Sequence, residues 1–295
     1  MNRSPLVFST CTVKFLLHLQ RQGYSNETID GYGKDLERFC IFMGEQKKNH
    51  DFQMDEITKA DVLNFMDEGR RRGNKPSTVS RRLATLKSFY KYLYYECDYP
   101  HDIAARIKMP KVYTPLPTIP SEEEVRKLLQ ASKQLGANYH LIFSLLYYTG
   151  SRLTPIRILE KAHVHLDEKV IYLPKVKGGK DLYLPLHDQL KEIIISYYTE
   201  HLPANSHYIF PSSRYTNQPL SPSDIRSKLR KAAELANLHI PITPHTLRHC
   251  TATHLTLRNV PQITIASILG HADLRSTMRY QHLAVDHLRD SVNLL

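Results

Sequence analysis

The sequence predicts a mainly α protein: an N-terminal helical bundle, then a mixed α/β part that is mostly helical and holds a small β-hairpin. Three observations predict this. Apolar residues recur three and four apart through the first hundred residues, the period of helices with one buried face. Four prolines between about Lys108 and Pro120 interrupt any period, as an extended linker does. Beyond them, only Val170–Leu173 and Leu182–Leu184 read as strands, and they bracket a Gly-Gly turn. A chain of 295 residues is comfortable as two domains. We expect one over 1–107, a linker over 108–118 and a second domain over 119–295.

In order, a helix from Thr10 to about Gln22 carries Val13, Phe15, Leu16 and Leu19, and Gly23 ends it. Ser25 or Asn26 caps the next, which runs through Ile29, Leu36, Phe39, Ile41 and Phe42 toward Gln46. Thr58-Lys-Ala-Asp61 is a capping box with Asp in place of Glu, opening a third helix through Val62, Phe65 and Met66. A basic turn follows over Gly69–Lys75. The strongest helix, from Ser77 to about Tyr95, aligns Val79, Leu83, Leu86, Tyr90 and Leu93 on one stripe. Together these predict a four- or five-helix bundle.

In the second part, Ser121 before Glu122, Glu123 and Glu124 starts a helix with acids in its first turn. Tyr139–Tyr148 is almost wholly apolar and reads as a buried helix ending at Thr149-Gly150-Ser151-Arg152. Local sequence leaves open whether Arg152 points into a cleft or lies on the surface. The hairpin loop carries Lys175, Lys177 and Lys180, and alone reads as a solvated tip. Ser223–Leu238 is a further helix. Pro244-His245 reads as a helix start, since proline suits the first turn. His245 and Arg248 then share a face, with His249 flanking them. Leu269-Gly270-His271 closes the next apolar stretch, and Tyr280 follows nine residues later.

The formal net charge is +11, and the basic excess lies on both sides of residue 110. Such a protein meets a polyanion: nucleic acid first, an anionic membrane surface second. No apolar run approaches the ~20 residues of a membrane span, so we expect no membrane partner. Met1–Phe15 lacks the pattern of a secretory signal. Cys11, Cys40, Cys97 and Cys250 are scattered without CxxC spacing, as reduced thiols in a cytoplasmic protein are. Despite 16 histidines there is no HExxH pair, and GxxxxGK[ST] is absent. We therefore expect neither metal nor cofactor. Acids are scarce from Gly69 to Tyr95, while Arg70, Arg71, Arg72, Ser80, Arg81, Arg82 and Lys87 cluster there. We read these as DNA contacts to phosphates and base edges.

With these pieces in order, the chain resembles the tyrosine recombinases of the phage integrase family, and in size and layout the Xer branch. Four ordered motifs carry the resemblance over nearly the whole chain: Thr149-Gly150-x-Arg152, the lysine hairpin, His245-x-x-Arg248-His249, and Leu269-Gly270-His271 with Tyr280. The resemblance implies a SAM-like core-binding domain before the linker and a catalytic domain after it. It implies Arg152 and Arg248 as the two arginines, His245 and His271 as the two histidines, and Tyr280 as the nucleophile. Lys177 is the implied hairpin acid, with Lys175 and Lys180 as alternatives. Asn259 stands where relatives often have glycine, and the tail after Tyr280 is undistinguished.

The implied chemistry is physically coherent. Two guanidiniums grip the oxygens of a phosphodiester as it becomes five-coordinate. Tyrosine, with a pKa near 10, needs a base or a positive field to attack. The histidines move or orient protons, and a lysine gives one to the leaving 5′-hydroxyl. The implied product is a 3′-phosphotyrosyl link. The implied partner is double-stranded DNA with a short inverted-repeat core site, bound on two sites by a homo-tetramer or a paired recombinase. We expect resolution of chromosome, plasmid or cointegrate dimers, because the core-binding helices begin almost at once. The alternatives are integration or transposition of a mobile element, a DNA-binding regulator with vestigial boxes, and a type IB topoisomerase.

Overall fold

The computed structural model describes residues 6–49, 52–111, 118–176 and 180–270. Side chains are described throughout these except at 175, 176 and 180. The hairpin lysines' side chains, His271, Tyr280, the tail and most of the expected linker therefore lie outside the described residues. The chain divides into two compact units, Met1–Leu116 and Pro117–Leu295.

The first unit is built from α1 (Phe8–Arg21), α2 (Asn26–Lys47), α3 (Lys59–Arg71) and α4 (Pro76–Glu96). Local chemistry fixes the helix starts. The Ser25 hydroxyl accepts from the Thr28 amide at 3.3 Å. Thr58 and Asp61 exchange the reciprocal bonds of a capping box. Pro76 occupies the first turn of α4, one residue ahead of the start read from sequence, where its missing N–H costs nothing. The apolar stripes converge on an aromatic core in which Phe8 lies 5.2–5.7 Å, ring to ring, from Phe39, Phe52 and Phe89. Two polar residues of α4 flank its apolar stripe and are buried with it: Thr85 at 4% exposure and Arg82 at 9%. Buried Asp35 of α2 accepts hydrogen bonds from Thr85 at 3.0 Å and from the Arg81 guanidinium, which ties α2 to α4.

The second unit contains α5 (Glu122–Ser132), α6 (Ala137–Thr149), α7 (Leu153–Arg157), β1 (Val164–His165), β2 (Val170–Val176) and β3 (Lys180–Pro185). Then come α8 (Asp188–Glu200), α9 (Pro222–Leu235), α10 (Pro244–Leu257) and α11 (Gln262–Leu269). Its core is centred on α6, whose Leu141–Leu146 run is wholly buried. A helix apolar on every side needs neighbours all round, and α6 packs against α5, α8, α9 and α10. The sheet is antiparallel in the order β1-β2-β3, pairing Tyr172 with Tyr183 and Leu173 with Leu182. Its register shifts between Leu173 and Val176, where Pro174 has no N–H for the ladder. Both strands resume beyond that irregularity, so the hairpin is longer than its sequence signal. Asn259, just past α10, sits at φ +60°, a left-handed position that asparagine tolerates better than most residues. That accounts for asparagine where relatives often have glycine.

Candidate active site

Gly150 is the pivot of the site. It ends α6 in the left-handed region (φ +58°), and a Cβ there would stand 2.4 Å from Leu269 Cδ2 and 3.1 Å from Thr251 Cγ2. Only glycine lets the ends of α6 and α11 and the flank of α10 close this tightly. The turn is braced by Thr149, whose hydroxyl donates to the Leu145 carbonyl at 2.6 Å and accepts from the Ser151 amide at 3.2 Å. Thr251 Oγ1 of α10 donates to the Tyr147 carbonyl at 2.5 Å.

Arg248 lies in this joint, only 6% exposed. Its Nη1 donates to the Gly150 carbonyl at 2.7 Å and its Nη2 to the Leu269 carbonyl at 2.9 Å. One guanidinium thus joins the Thr-Gly-x-Arg turn, the His-x-x-Arg helix and the Leu-Gly-His turn, three of the four motifs. Two carbonyl dipoles orient its charge and take two of the five N–H donors of a guanidinium.

Arg152 is the N-cap of α7, half-buried, two residues beyond the pivot. His245 is in the first turn of α10, capped by Thr243 and open to solvent. Its pKa lies below the ordinary imidazole value: partial desolvation of the ring is the largest cause, followed by the charges of Arg248, Arg152 and Arg226. These cations therefore act on one ring, which stays neutral and proton-accepting near pH 7. A bound phosphate would offset their field and push that pKa back up.

Of the predicted catalytic residues, Arg152 and Arg248 are both near enough to His245 for their charges to act on its ring; Lys177, His271 and Tyr280 lie outside the described residues. His249 is half-buried beside them. Arg226 of α9 went unread in the sequence, where nothing but its neighbourhood to α10's field separates it from Arg230. Deeper on α10, buried His254 spans the Tyr147 hydroxyl (3.0 Å from Nδ1) and the Pro120 carbonyl (2.9 Å from Nε2). The carbonyl can only accept, so Nε2 donates to it. Burial holds the pKa of His254 down, and the ring is a structural pin rather than a reactive group.

Of the predicted DNA-contact residues, Arg70 pairs with Asp67 at 2.5 Å, Arg71 with Glu68 at 3.6 Å, and Arg72 with Glu68 at 2.5 Å. Such exposed pairs are weak, about 0–1 kcal/mol, and exchange readily for phosphates. Ser80 is half-buried, Arg81 is anchored to Asp35 with much of its side chain exposed, and Lys87 donates to the Ala105 carbonyl at 2.9 Å. Arg82 is buried. Among the described residues no group of His, Cys, Asp and Glu is arranged to hold a metal ion. No described helix is long and apolar enough to cross a membrane.

An arginine held by two carbonyls, with further arginine charge acting on a neutral imidazole beside it, is a site suited to a phosphodiester. The phage integrase family matches residues 120–287, and the family's N-terminal SAM-like domain matches residues 13–96. Tyrosine recombinase XerD of Listeria innocua is 31% identical over 278 residues, covering 91% of this chain and 92% of that protein. Tyrosine recombinase XerC of Bacillus pumilus is 30% identical, over 93% and 92%. Among solved structures, a lambda integrase dimer bound to a COC′ core site superposes with a TM-score of 0.75 at 18% identity, covering 94% of this chain and 78% of that one. The chain belongs to the phage integrase family, as a tyrosine recombinase of the Xer-like branch, an enzyme that cuts and rejoins DNA at specific sites.

Proposed function

We propose that this recombinase cuts one strand with Tyr280, holding the scissile phosphate between Arg152 and Arg248. The observation that carries the reading is that Arg248 is fixed by the carbonyls of Gly150 and Leu269 on the helix that bears His245, where the charges of Arg248 and Arg152 both act on the ring. The Tyr280 oxygen attacks phosphorus and gives up its proton to a histidine, His271 or His245. The bond to the 5′-oxygen breaks, and that oxygen takes a proton from Lys177, or from Lys175 or Lys180 in its place. The result is a 3′-phosphotyrosyl link and a free 5′-hydroxyl. Attack by the 5′-hydroxyl of the partner strand reverses each transfer and releases Tyr280. Phosphodiester bonds are exchanged one for one, so no energy source is needed. The arginines supply the electrostatic stabilisation, and each is worth about 10²–10³-fold in rate by analogy with other oxyanion donors.

Residues 1–107 and 119–295 act in this reading as DNA-binding and catalytic domains joined by the linker, in the cytoplasm. Four protomers, alike or paired with a second recombinase, assemble on two inverted-repeat core sites. Relatives named XerD and XerC, aligned along nearly their whole lengths, support resolution of chromosome, plasmid or cointegrate dimers rather than element integration. The test is incubation with supercoiled DNA bearing two copies of a candidate site, followed by denaturation. A covalent protein–DNA adduct and deletion of the intervening DNA are expected, and Tyr280→Phe should give neither. An adduct formed by Tyr280→Phe overturns the assignment.

A further inference from the structure

Beside α4 in the first unit is a cavity of about 180 Å³, lined by residues of α2, α3 and α4 and the turn after α3. Its floor is Arg82, nine-tenths buried, whose Nε is shielded from solvent and has no hydrogen-bond partner. The guanidinium carbon lies 5.7 Å from the centre of the Phe65 ring, so that face of the cation is dry. Nη1 stands 3.5 Å from where a Gly69 Cβ would be, and the Asn74 amide is equally near that point. The guanidinium edge and the Asn74 amide both flank Gly69.

The surrounding positive charge is only partly countered, by Asp35. Arg38 lines the same cavity from α2, and among the described residues neither Arg38 nor Arg82 has an ion-pair partner. The carboxylates on the rim are engaged elsewhere: Glu68 by Arg72 and Arg71, and Glu45, at 4.0 Å, by Arg72. Burial, and next the charge of Arg38, disfavour the charged form of Arg82; Asp35 favours it, while Arg81 and Arg72 oppose it. Asp35 receives Arg81 and Thr85 on Oδ2, and its buried Oδ1 has no hydrogen-bond partner, so it does not pair with the Arg82 guanidinium. A buried cation without a direct ion pair is costly, and a tetrahedral oxyanion would satisfy Arg82, Arg38 and Asn74 together.

We propose that this cavity is a phosphate socket: Arg82, Arg38 and Asn74 seat one backbone phosphate of the DNA. The inference rests on the reading of this unit as DNA-binding. It goes further in assigning Arg82 a single buried phosphate instead of a place on an open charged face, and in recruiting Arg38 from a different helix. Being a backbone contact, it fixes register without reading sequence.

The test is the affinity of the full-length protein for a mixed-sequence duplex between about 50 and 200 mM salt, where each neutralised phosphate contributes roughly −0.9 to the log–log slope. Arg82→Met keeps an apolar side chain of similar length beside Phe65 while removing the charge, and Arg38→Gln alters an exposed residue. Each is expected to weaken binding alike for all sequences and to flatten the slope, the double variant by no more than about 0.9 in total, the worth of one phosphate. Unchanged slopes in both variants, with wild-type protein binding normally, overturn the socket alone. Absence of wild-type binding removes the reading beneath it as well. A lower melting temperature for Arg82→Met with an unchanged slope makes Arg82 a structural partner of Asp35 and overturns the proposal. If inorganic phosphate raises the melting temperature of wild type but not of Arg82→Met while the DNA slopes stay equal, the site takes a free anion and the DNA assignment fails.

Discussion

Replacing Gly150 by alanine should damage stability and catalysis through one joint. The left-handed backbone costs a Cβ-bearing residue about 1–2 kcal/mol. The new methyl would also overlap Leu269 Cδ2 at 2.4 Å and press on Thr251 at 3.1 Å, an overpacking worth about 1–3 kcal/mol. The sum of about 2–5 kcal/mol lowers the melting temperature of a unit this size by roughly 5–15 °C. The Gly150 carbonyl is also an acceptor for Arg248 Nη1, so relief of the clash moves the guanidinium. A displacement of about 1 Å in a catalytic group costs on the order of 10²-fold in rate, more than the unfolded fraction explains. Thermal unfolding and covalent-adduct kinetics, each on Gly150→Ala, Leu269→Ala and the pair, separate the terms. Leu269 is 1% exposed, so Leu269→Ala alone should cost about 2–5 kcal/mol. The double variant should cost less than the sum by about 1–3 kcal/mol, because the second change removes the atom the first collides with. Additive costs, or a Gly150→Ala enzyme with wild-type adduct rates, would refute the coupling.

Three further outcomes follow from the structure. Thr58→Ala removes the capping oxygen of α3 and should cost about 1 kcal/mol in the first unit, read as a lower urea midpoint at unchanged m-value. Asp35→Asn leaves Arg81 and Thr85 facing a weaker acceptor in a buried setting and should cost about 1–3 kcal/mol in the same assay. His140, His245 and His254 all have folded pKa values below the ordinary 6.5, so unfolding takes up protons and their contribution to stability is complete above about pH 6.5. Stability should therefore fall as pH drops from there toward the folded values. His254→Gln, which retains a donor toward Pro120, should flatten that decline in a pH series of thermal melts.

Capping chemistry made several boundaries legible in the sequence: Thr58 with Asp61 forms the reciprocal bonds its spacing predicts, and Ser121, read as a helix start before three acids, exchanges the same pair of bonds with Glu124. The stripe Val79–Leu93 and the apolar run of α6 were legible because burial follows period. Where elements are too short for a period, as in α7 and β1, nothing in the sequence marks them. In α8, Leu190, Ile194 and Tyr197 keep helical spacing, but the β-branched Ile193–Ile195 run competes with that signal. The motifs pointed to Arg152, His245 and Arg248, because spacing on a helix and a glycine turn are local facts. They did not foretell that Arg248 would be clasped by the Gly150 and Leu269 carbonyls, or that Arg226 would reach the field of His245, since tertiary packing alone decides both. Arg82 stood in the sequence as one of a charged cluster, and its burial emerged only when α2, α3 and α4 closed around it.

In the proposed mechanism Arg152 and Arg248 act by neutralising one phosphate. This is tested by comparing wild type with Arg152→Ala on a DNA site whose scissile phosphate is either natural or replaced by an uncharged methylphosphonate. Arg152 is half-buried and caps only a short helix, so the variant should fold. An adduct rate reduced about 10²–10³-fold is expected on natural DNA, with a far smaller deficit on the neutral analogue, where less charge needs an arginine. An equal deficit on both substrates would contradict that mechanism.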